Sequence, residues 1–239
     1  CATIAEMEMA AEAGVPDILM AYQPIGPNIS RLLELSMRYP ETTFSALVDD
    51  PNIVDTISRT FEKADRSLRL LVDVDCGMHR TGIETGDGAF ALCQRVVDSP
   101  AVTFTGLHVY DGHNQIQPID ERKTKFNECL KPVEALVKRL VHAGISVGTI
   151  VGGGSPTFGL HAREAETGAV ADISYQCSRG TSLFWDAGTQ TSFTDLPFST
   201  AAMLLTRVLS RPSRGRLCCD WRHKAGAAEN PLNNRVRFP

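Results

Sequence analysis

The chain is 239 residues long and 43% hydrophobic, enough to bury one sizeable core of the α/β kind. Its formal net charge is −4 and no lysine- and arginine-rich run breaks it, which excludes the basic footprint of a nucleic-acid or anionic-membrane binder and points to a small-molecule partner. The longest apolar stretches, residues 18–22 and 201–205, fall far short of the ~20 residues that a membrane helix needs.

Residues 3–13 have amphipathic helical character, without the basic start of a signal peptide, and Gly14 is a plausible stop. Residues 17–22 form a short apolar strand. Asn28 caps a helix over 29–38, and Pro40 ends it. Strand follows at 43–48, then Asp50 and Pro51 start a helix over 53–64. Residues 70–74 are leucine and valine apart from Asp73, as in a strand buried on both faces. Helix is expected at 90–97, strand at 102–110, a longer helix at 126–143 ended by Gly144, and strand at 147–151.

This βα alternation calls for a parallel sheet, but a (β/α)8 barrel and an open doubly wound sheet share it. After Gly168 the pattern changes: 173–185, 202–210 and 216–220 read as successive strands without helices between them. That predicts a first domain over 1–196 and the start of a β-rich domain over 197–239. The chain opens at Cys1 without an initiating methionine, and residues 235–239 stop inside an unfinished strand pattern, so a piece of a longer protein is expected. Seven cysteines, an odd number with no C-x-x-C pair, read as reduced thiols and predict a cytoplasmic setting.

Three turns at strand ends carry the chemistry, because in parallel α/β proteins these loops build the site. The first, residues 75–82, contains Gly77 and Arg80, an always-ionised donor for a phenolate or carboxylate, or else the partner of Asp75. The second, residues 108–113, gathers His108, Tyr110, Asp111 and His113, a set suited to moving protons or binding metal. Alternation sends His108 and Tyr110 to one side of the strand. The third, residues 152–157, offers Gly152, Gly153 and Gly154 with Ser155 and Thr157, whose backbone N–H groups and hydroxyls can cradle a phosphate. No Gly-Lys-Ser/Thr follows, so it is not a Walker loop.

The strings VDVDCGMHRTGI, GLHVYDGH, VGGGSPTF, SRGTSLFWDAG and LPFSTAAMLLTRVLSRP, with the opening CATIAEMEMAAEAG, resemble in order and separation the D-threonine aldolase and D-serine dehydratase group of fold-type III pyridoxal-phosphate enzymes. The resemblance covers essentially the whole chain. It implies an alanine racemase-like (β/α)8 barrel, its first strands missing here, followed by a β-rich C-terminal domain. It also implies that Arg80 lies near the cofactor's phenolic oxygen, that Tyr110 flanks the ring, and that Gly153, Gly154 and Ser155 face the phosphate, with Gly180 and Thr181 in a second phosphate-facing turn.

The activity so implied is a lyase cleaving a β-hydroxy-D-amino acid to glycine and an aldehyde, with pyridoxal 5'-phosphate as cofactor and a divalent metal in the complete protein. His113 and Tyr110 are its candidate catalytic residues, His113 as the base for the β-hydroxyl proton. β-Elimination of D-serine is the alternative, racemisation a weaker one, and a non-catalytic pyridoxal-phosphate-binding protein a rival of another class. That rival is motivated by the lysine that binds the cofactor covalently in the family, which falls upstream of Cys1. None of Lys63, Lys123, Lys125, Lys131, Lys138 and Lys224 matches its position. The family's metal ligands also fall outside the chain, Arg179 replaces a usual proline, Thr189 a common tyrosine, and His223 and Lys224 match a His-Lys pair. A homodimer is the expected assembly.

Overall fold

Strands β1 (Asp17–Met20), β2 (Thr43–Val48), β3 (Leu68–Asp75), β5 (Val102–Tyr110), β6 (Thr149–Gly153) and β7 (Ser174–Ser178) lie side by side in chain order, with the short β4 (Ile83–Glu84) on the carboxyl end of β3. Every pairing is parallel. Helices α1 (Ile4–Glu12), α2 (Pro27–Arg38), α3 (Pro51–Glu62), α4 (Asp87–Asp98), α5 (Ile119–His142) and α6 (Phe158–Thr167) alternate with them. A doubly wound sheet reverses its strand order at a switch point. Here there is no reversal, so the ambiguity left by periodicity resolves to the barrel type, and the path runs from β1 to β7 without closing among the described residues. The computed structural model describes residues 1–167 and 173–221, which fall into two compact units, one through Arg179 and one from Gly180.

Local chemistry explains most element ends. Thr3 and Glu6 form a reciprocal capping box at the head of α1, satisfying donors that the first turn leaves free. Asp50 caps α3 through the Asn52 N–H, with Pro51 in the first turn. Asn28 is not a cap: α2 starts two residues earlier, with Gly26 at the N-cap and Pro27 inside, because proline's fixed φ suits the first turn and its missing N–H costs nothing there.

The two faces of the sheet bury different residues. One face packs Ile18, Met20, Val48, Leu70, Val72, Leu107 and Val109 against helix residues such as Leu32, Ile57, Phe61 and Val96. The other gathers Leu47, Leu71 and Val151 with Leu19 and Ala21, the inward side of a barrel wall. Strand β5 changes faces midway. Leu70 pairs with Phe104 but Leu71 with Gly106, so Thr105 is an extra residue and the register shifts. Beyond this bulge Asp73 stands opposite His108, and paired residues share a face. Without it, Leu107 and Val109 would occupy the inward positions that His108 and Tyr110 hold.

The region after Gly168 departs from expectation. The strand predicted over 173–185 stops at Ser178, followed by a 3-10 turn (Thr181–Leu183) and helix α7 (Ala187–Ser192). Asp186 fixes that helix, its carboxylate accepting from the Thr189 N–H at 2.9 Å and the Thr189 hydroxyl at 2.5 Å. Helix α6 was not anticipated either. In the second unit Trp185, Phe193 and Leu196 form a small cluster, and β8 (Val208–Ser213) and β9 (Arg216–Cys219) make an antiparallel ribbon, shorter at its start than the predicted 202–210. Among the described residues no helix is long and apolar enough to cross a membrane.

Candidate functional site at the carboxyl ends of the strands

Because β1 to β7 are parallel, their carboxyl ends share one rim of the sheet, and the sequence-predicted turns of the first unit meet there. The loop after β3 is pinned from beneath. Asp75 accepts from the backbone N–H groups of Gly77 (2.9 Å) and His79 (3.0 Å), and its second oxygen meets His79 Nδ1 at 2.9 Å. Burial pushes this carboxyl up, but these hydrogen bonds outweigh it and hold it below the usual range. Thr81 donates to Asp73 (2.9 Å), and the Gly82 N–H to Asp49 at the end of β2 (2.9 Å).

Asp75 is therefore occupied by its own loop and does not take Arg80. The Arg80 guanidinium lies over the Tyr110 ring, 4.5 Å from its centroid, and over the Tyr22 ring at 5.2 Å. Two aromatic faces orient the charge while leaving its donors available. The Tyr110 ring in turn lies against Gly112 and Gly153, where an added Cβ would meet it. Arg80, Tyr110 and Gly153 thus come together. Tyr22, just past β1, is a member that sequence reasoning missed.

The glycine-rich turn is packed from within by its own protein. A Cβ on Gly152 would strike His161 and Tyr175, one on Gly153 the Ser178 carbonyl, and one on Gly154 the Asp111 carboxylate and Thr157. Thr157 donates to Asp111 at 2.7 Å, and the Asp111 N–H to the Gly153 carbonyl at 2.8 Å. His161 Nδ1 meets the Tyr175 hydroxyl at 2.7 Å, and His161 Nε2 lies 3.3 Å from Asp111 Oδ1. Burial pushes the Tyr175 hydroxyl well above its ordinary pKa, so it stays a donor.

Among the described residues, the N–H groups of Gly154, Ser155 and Thr157 and the Ser155 hydroxyl donate to no protein acceptor. They stand at the head of the ten-residue helix α6. Free donors at a helix N-terminus favour an anionic oxygen, and with Arg80 nearby on the same rim the donor set fits a phosphorylated ring. Arg179, in place of the usual proline, packs over the Phe158 ring at 3.3 Å.

His113 is held in other company. Its Nε2 lies 3.6 Å from Cys129 Sγ on α5, and Gly77 faces the same ring. His108 is 4% exposed and its Nδ1 lies 2.6 Å from Asp73 Oδ1. Gly180 and Thr181 belong to the second unit, at the head of its 3-10 turn. His223 and Lys224 fall outside the described residues. Lys63 caps α3, and Lys123, Lys125, Lys131 and Lys138 lie on α5, none at a strand's carboxyl end. Among the described residues no group of three or more His, Cys, Asp or Glu could hold a metal.

Over 232 residues the chain is 27% identical to the D-threonine aldolase of Arthrobacter sp, covering 96% of this chain and 59% of that one. It is 28% identical over 191 residues to the 3-hydroxy-D-aspartate aldolase of Paracoccus denitrificans (strain Pd 1222), covering 78% and 46%. The crystal structure of D-threonine aldolase from Filomicrobium marinum matches with a TM-score of 0.84 at 26% identity, over 94% of this chain and 58% of that one. The chain thus spans about half to three-fifths of the length of these relatives. The model of the alanine racemase N-terminal domain matches residues 1–170, and the chain belongs to that family.

Proposed function

We propose that this chain is the cofactor-holding part of a pyridoxal-phosphate-dependent lyase of the D-threonine aldolase type, which cleaves a β-hydroxy-D-amino acid to glycine and an aldehyde. The observation that carries the reading is the juxtaposition of Arg80 on Tyr110 with the free donors of Gly154 and Ser155. Two similar aldolases named for D-amino acids support the substrate class. When bound, pyridoxal phosphate supplies an electron sink for the pair released as the Cα–Cβ bond breaks. The chain's residues would hold and orient it, with Gly153, Gly154 and Ser155 toward the phosphate, Arg80 toward the phenolic oxygen and Tyr110 toward the ring, while the phosphate role of Gly180 and Thr181 rests on the family resemblance alone.

Of the two residues assigned to proton transfer, Tyr110 keeps company with Arg80, which supports its part. The β-hydroxyl proton goes to His113 in this proposal, its Nε2 3.6 Å from Cys129 Sγ. The domain division near Pro197, a cytoplasmic location and a homodimer complete the proposal. All seven cysteines are free, which favours a reducing compartment. Leu205, at 99% exposure, and its exposed neighbours Met203 and Leu204 favour self-association.

Titration with pyridoxal phosphate, followed by absorbance, tests the reading. Saturable binding is expected, and Arg80→Ala should weaken it about tenfold, ~1.4 kcal/mol; no saturable binding would overturn it. Gly112→Ala is expected to weaken binding similarly without unfolding the chain, because the new methyl displaces the Tyr110 ring. Product analysis of the complete, cofactor-loaded protein separates the chemistries, this chain alone being expected to be inactive. Glycine with acetaldehyde from D-threonine is expected, whereas pyruvate from D-serine without glycine overturns the aldolase in favour of β-elimination.

A further inference from the structure

The residues flanking Arg80 are each held by a carboxylate at a strand end, and Arg80 itself by none of the three. Asp75 takes the His79 N–H at 3.0 Å and Asp49 the Gly82 N–H at 2.9 Å. Asp73 takes the Thr81 hydroxyl at 2.9 Å on Oδ2, while His108 Nδ1 lies 2.6 Å from Oδ1. The guanidinium between these anchors rests on the Tyr110 and Tyr22 rings. From this arrangement we infer that Asp73 is a positioning residue for Arg80, oriented by His108 and acting through Thr81, so that the guanidinium is set over Tyr110 before a phenolate arrives. The inference deepens the proposed cofactor site and rests on the assignment of Arg80 to the phenolic oxygen.

The sequence prepares this contact at both ends. Residues two apart along a strand share a face, so Asp73 follows Leu71 on the inward side, where Leu47 and Val151 pack. The bulge in β5 sets His108 beside it as its cross-strand partner. The loop then returns sharply at Gly82, whose φ is 98° and where a Cβ would meet the main chain of Val74 and Asp75. That turn brings Thr81 back to the strand residue eight positions before it. A carboxylate only accepts, so the His108 Nδ1 proton goes to Oδ1 and Oδ2 stays open for the Thr81 hydroxyl.

Burial separates this role from packing. Asp73 is 6% and His108 4% exposed, whereas Arg80 and Thr81 are exposed. A buried carboxylate–imidazole pair is generally no better for stability than an apolar pair of similar size, and leucine and valine already fill this face elsewhere. What the polar pair adds is an anchor for an exposed loop. A long arginine that is held in place beforehand loses less freedom when a ligand arrives, a gain of roughly two- to tenfold in affinity.

The test is a double-mutant cycle read by pyridoxal-phosphate affinity, beside amide hydrogen exchange of residues 76–82 in the free chain. Thr81→Val keeps the shape and removes the hydroxyl, so it should weaken binding roughly two- to tenfold and speed exchange in the loop. Thr81→Ser keeps the hydroxyl and should leave both as in the unsubstituted chain. Asp73→Asn, whose amide offers one acceptor where two donors converge, should act like Thr81→Val. In the Arg80→Ala background neither substitution should weaken binding further, because both act through the guanidinium. Equal losses with and without Arg80, or unchanged exchange in Thr81→Val, overturn the inference. Absence of saturable binding by the unsubstituted chain would overturn the cofactor reading instead, and exchange in the loop would still decide whether Asp73 anchors it.

Discussion

Gly106→Val is expected to lower stability by roughly 2–6 kcal/mol, the sum of a strained backbone and an overpacked core, and to abolish pyridoxal-phosphate binding in whatever fraction stays folded. Gly106 has φ 153°, and a Cβ there would run into the Thr149 backbone of the neighbouring β6. Neither obstacle can relax cheaply, because the contact is main chain on main chain inside a sheet. The residue also sits at the bulge that swaps the faces of β5. Chains that fold around the substitution by removing the bulge would bring leucine and valine to the inward face and turn His108 and Tyr110 outward. Gly144→Ala is the control: φ there is 80° but nothing lies within 4 Å of the new Cβ, so only the backbone strain of roughly 1–3 kcal/mol applies. Urea midpoints measure both. Equal losses for the two variants would show that the close approach to Thr149 carries no weight.

That bulge also marks where sequence reading runs out. β2 and β5 were legible to the residue, since Thr43–Val48 and Val102–Tyr110 are apolar runs bounded by turn formers. Alternation correctly put His108 and Tyr110 on one side, but could not say which side, because the extra residue at Thr105 resets the phase without leaving a hydrophobic signature. The Asp73–His108 pair follows from cross-strand register, which a single strand does not encode. Tyr22 contacts Arg80 only because β1 and β3 end on the same rim. Helix α6 and α7 were missed for a different reason: Gly159, Gly188 and several threonines lower their intrinsic helix propensity, and tertiary contacts decide. For α6 these are Leu160 and His161, buried against the sheet. The motif strings, by contrast, carried the family directly, and with it the Arg80 and Gly153–Ser155 turns.

Asp111→Ala is expected to cost roughly 3–5 kcal/mol, from one charge-assisted hydrogen bond lost and one buried donor left without a partner. Asp111 is 1% exposed and His161 and Thr157 are fully buried. With the Tyr175 hydroxyl held protonated, Tyr175 donates to His161 Nδ1, His161 Nε2 lies 3.3 Å from Asp111 Oδ1 without completing a hydrogen bond, and Asp111 receives the Thr157 hydroxyl. This chain packs against the turn that carries the free N–H groups. Thr157→Val removes only the hydroxyl and should cost less, roughly 1.5–3 kcal/mol. In both variants pyridoxal-phosphate affinity should fall, since a loosened turn has to be ordered before its donors can converge on a phosphate. Equilibrium denaturation and the absorbance titration read the two effects separately. Full cofactor affinity in a destabilised Asp111→Ala chain would mean that the network holds the fold together but has no part in shaping the turn.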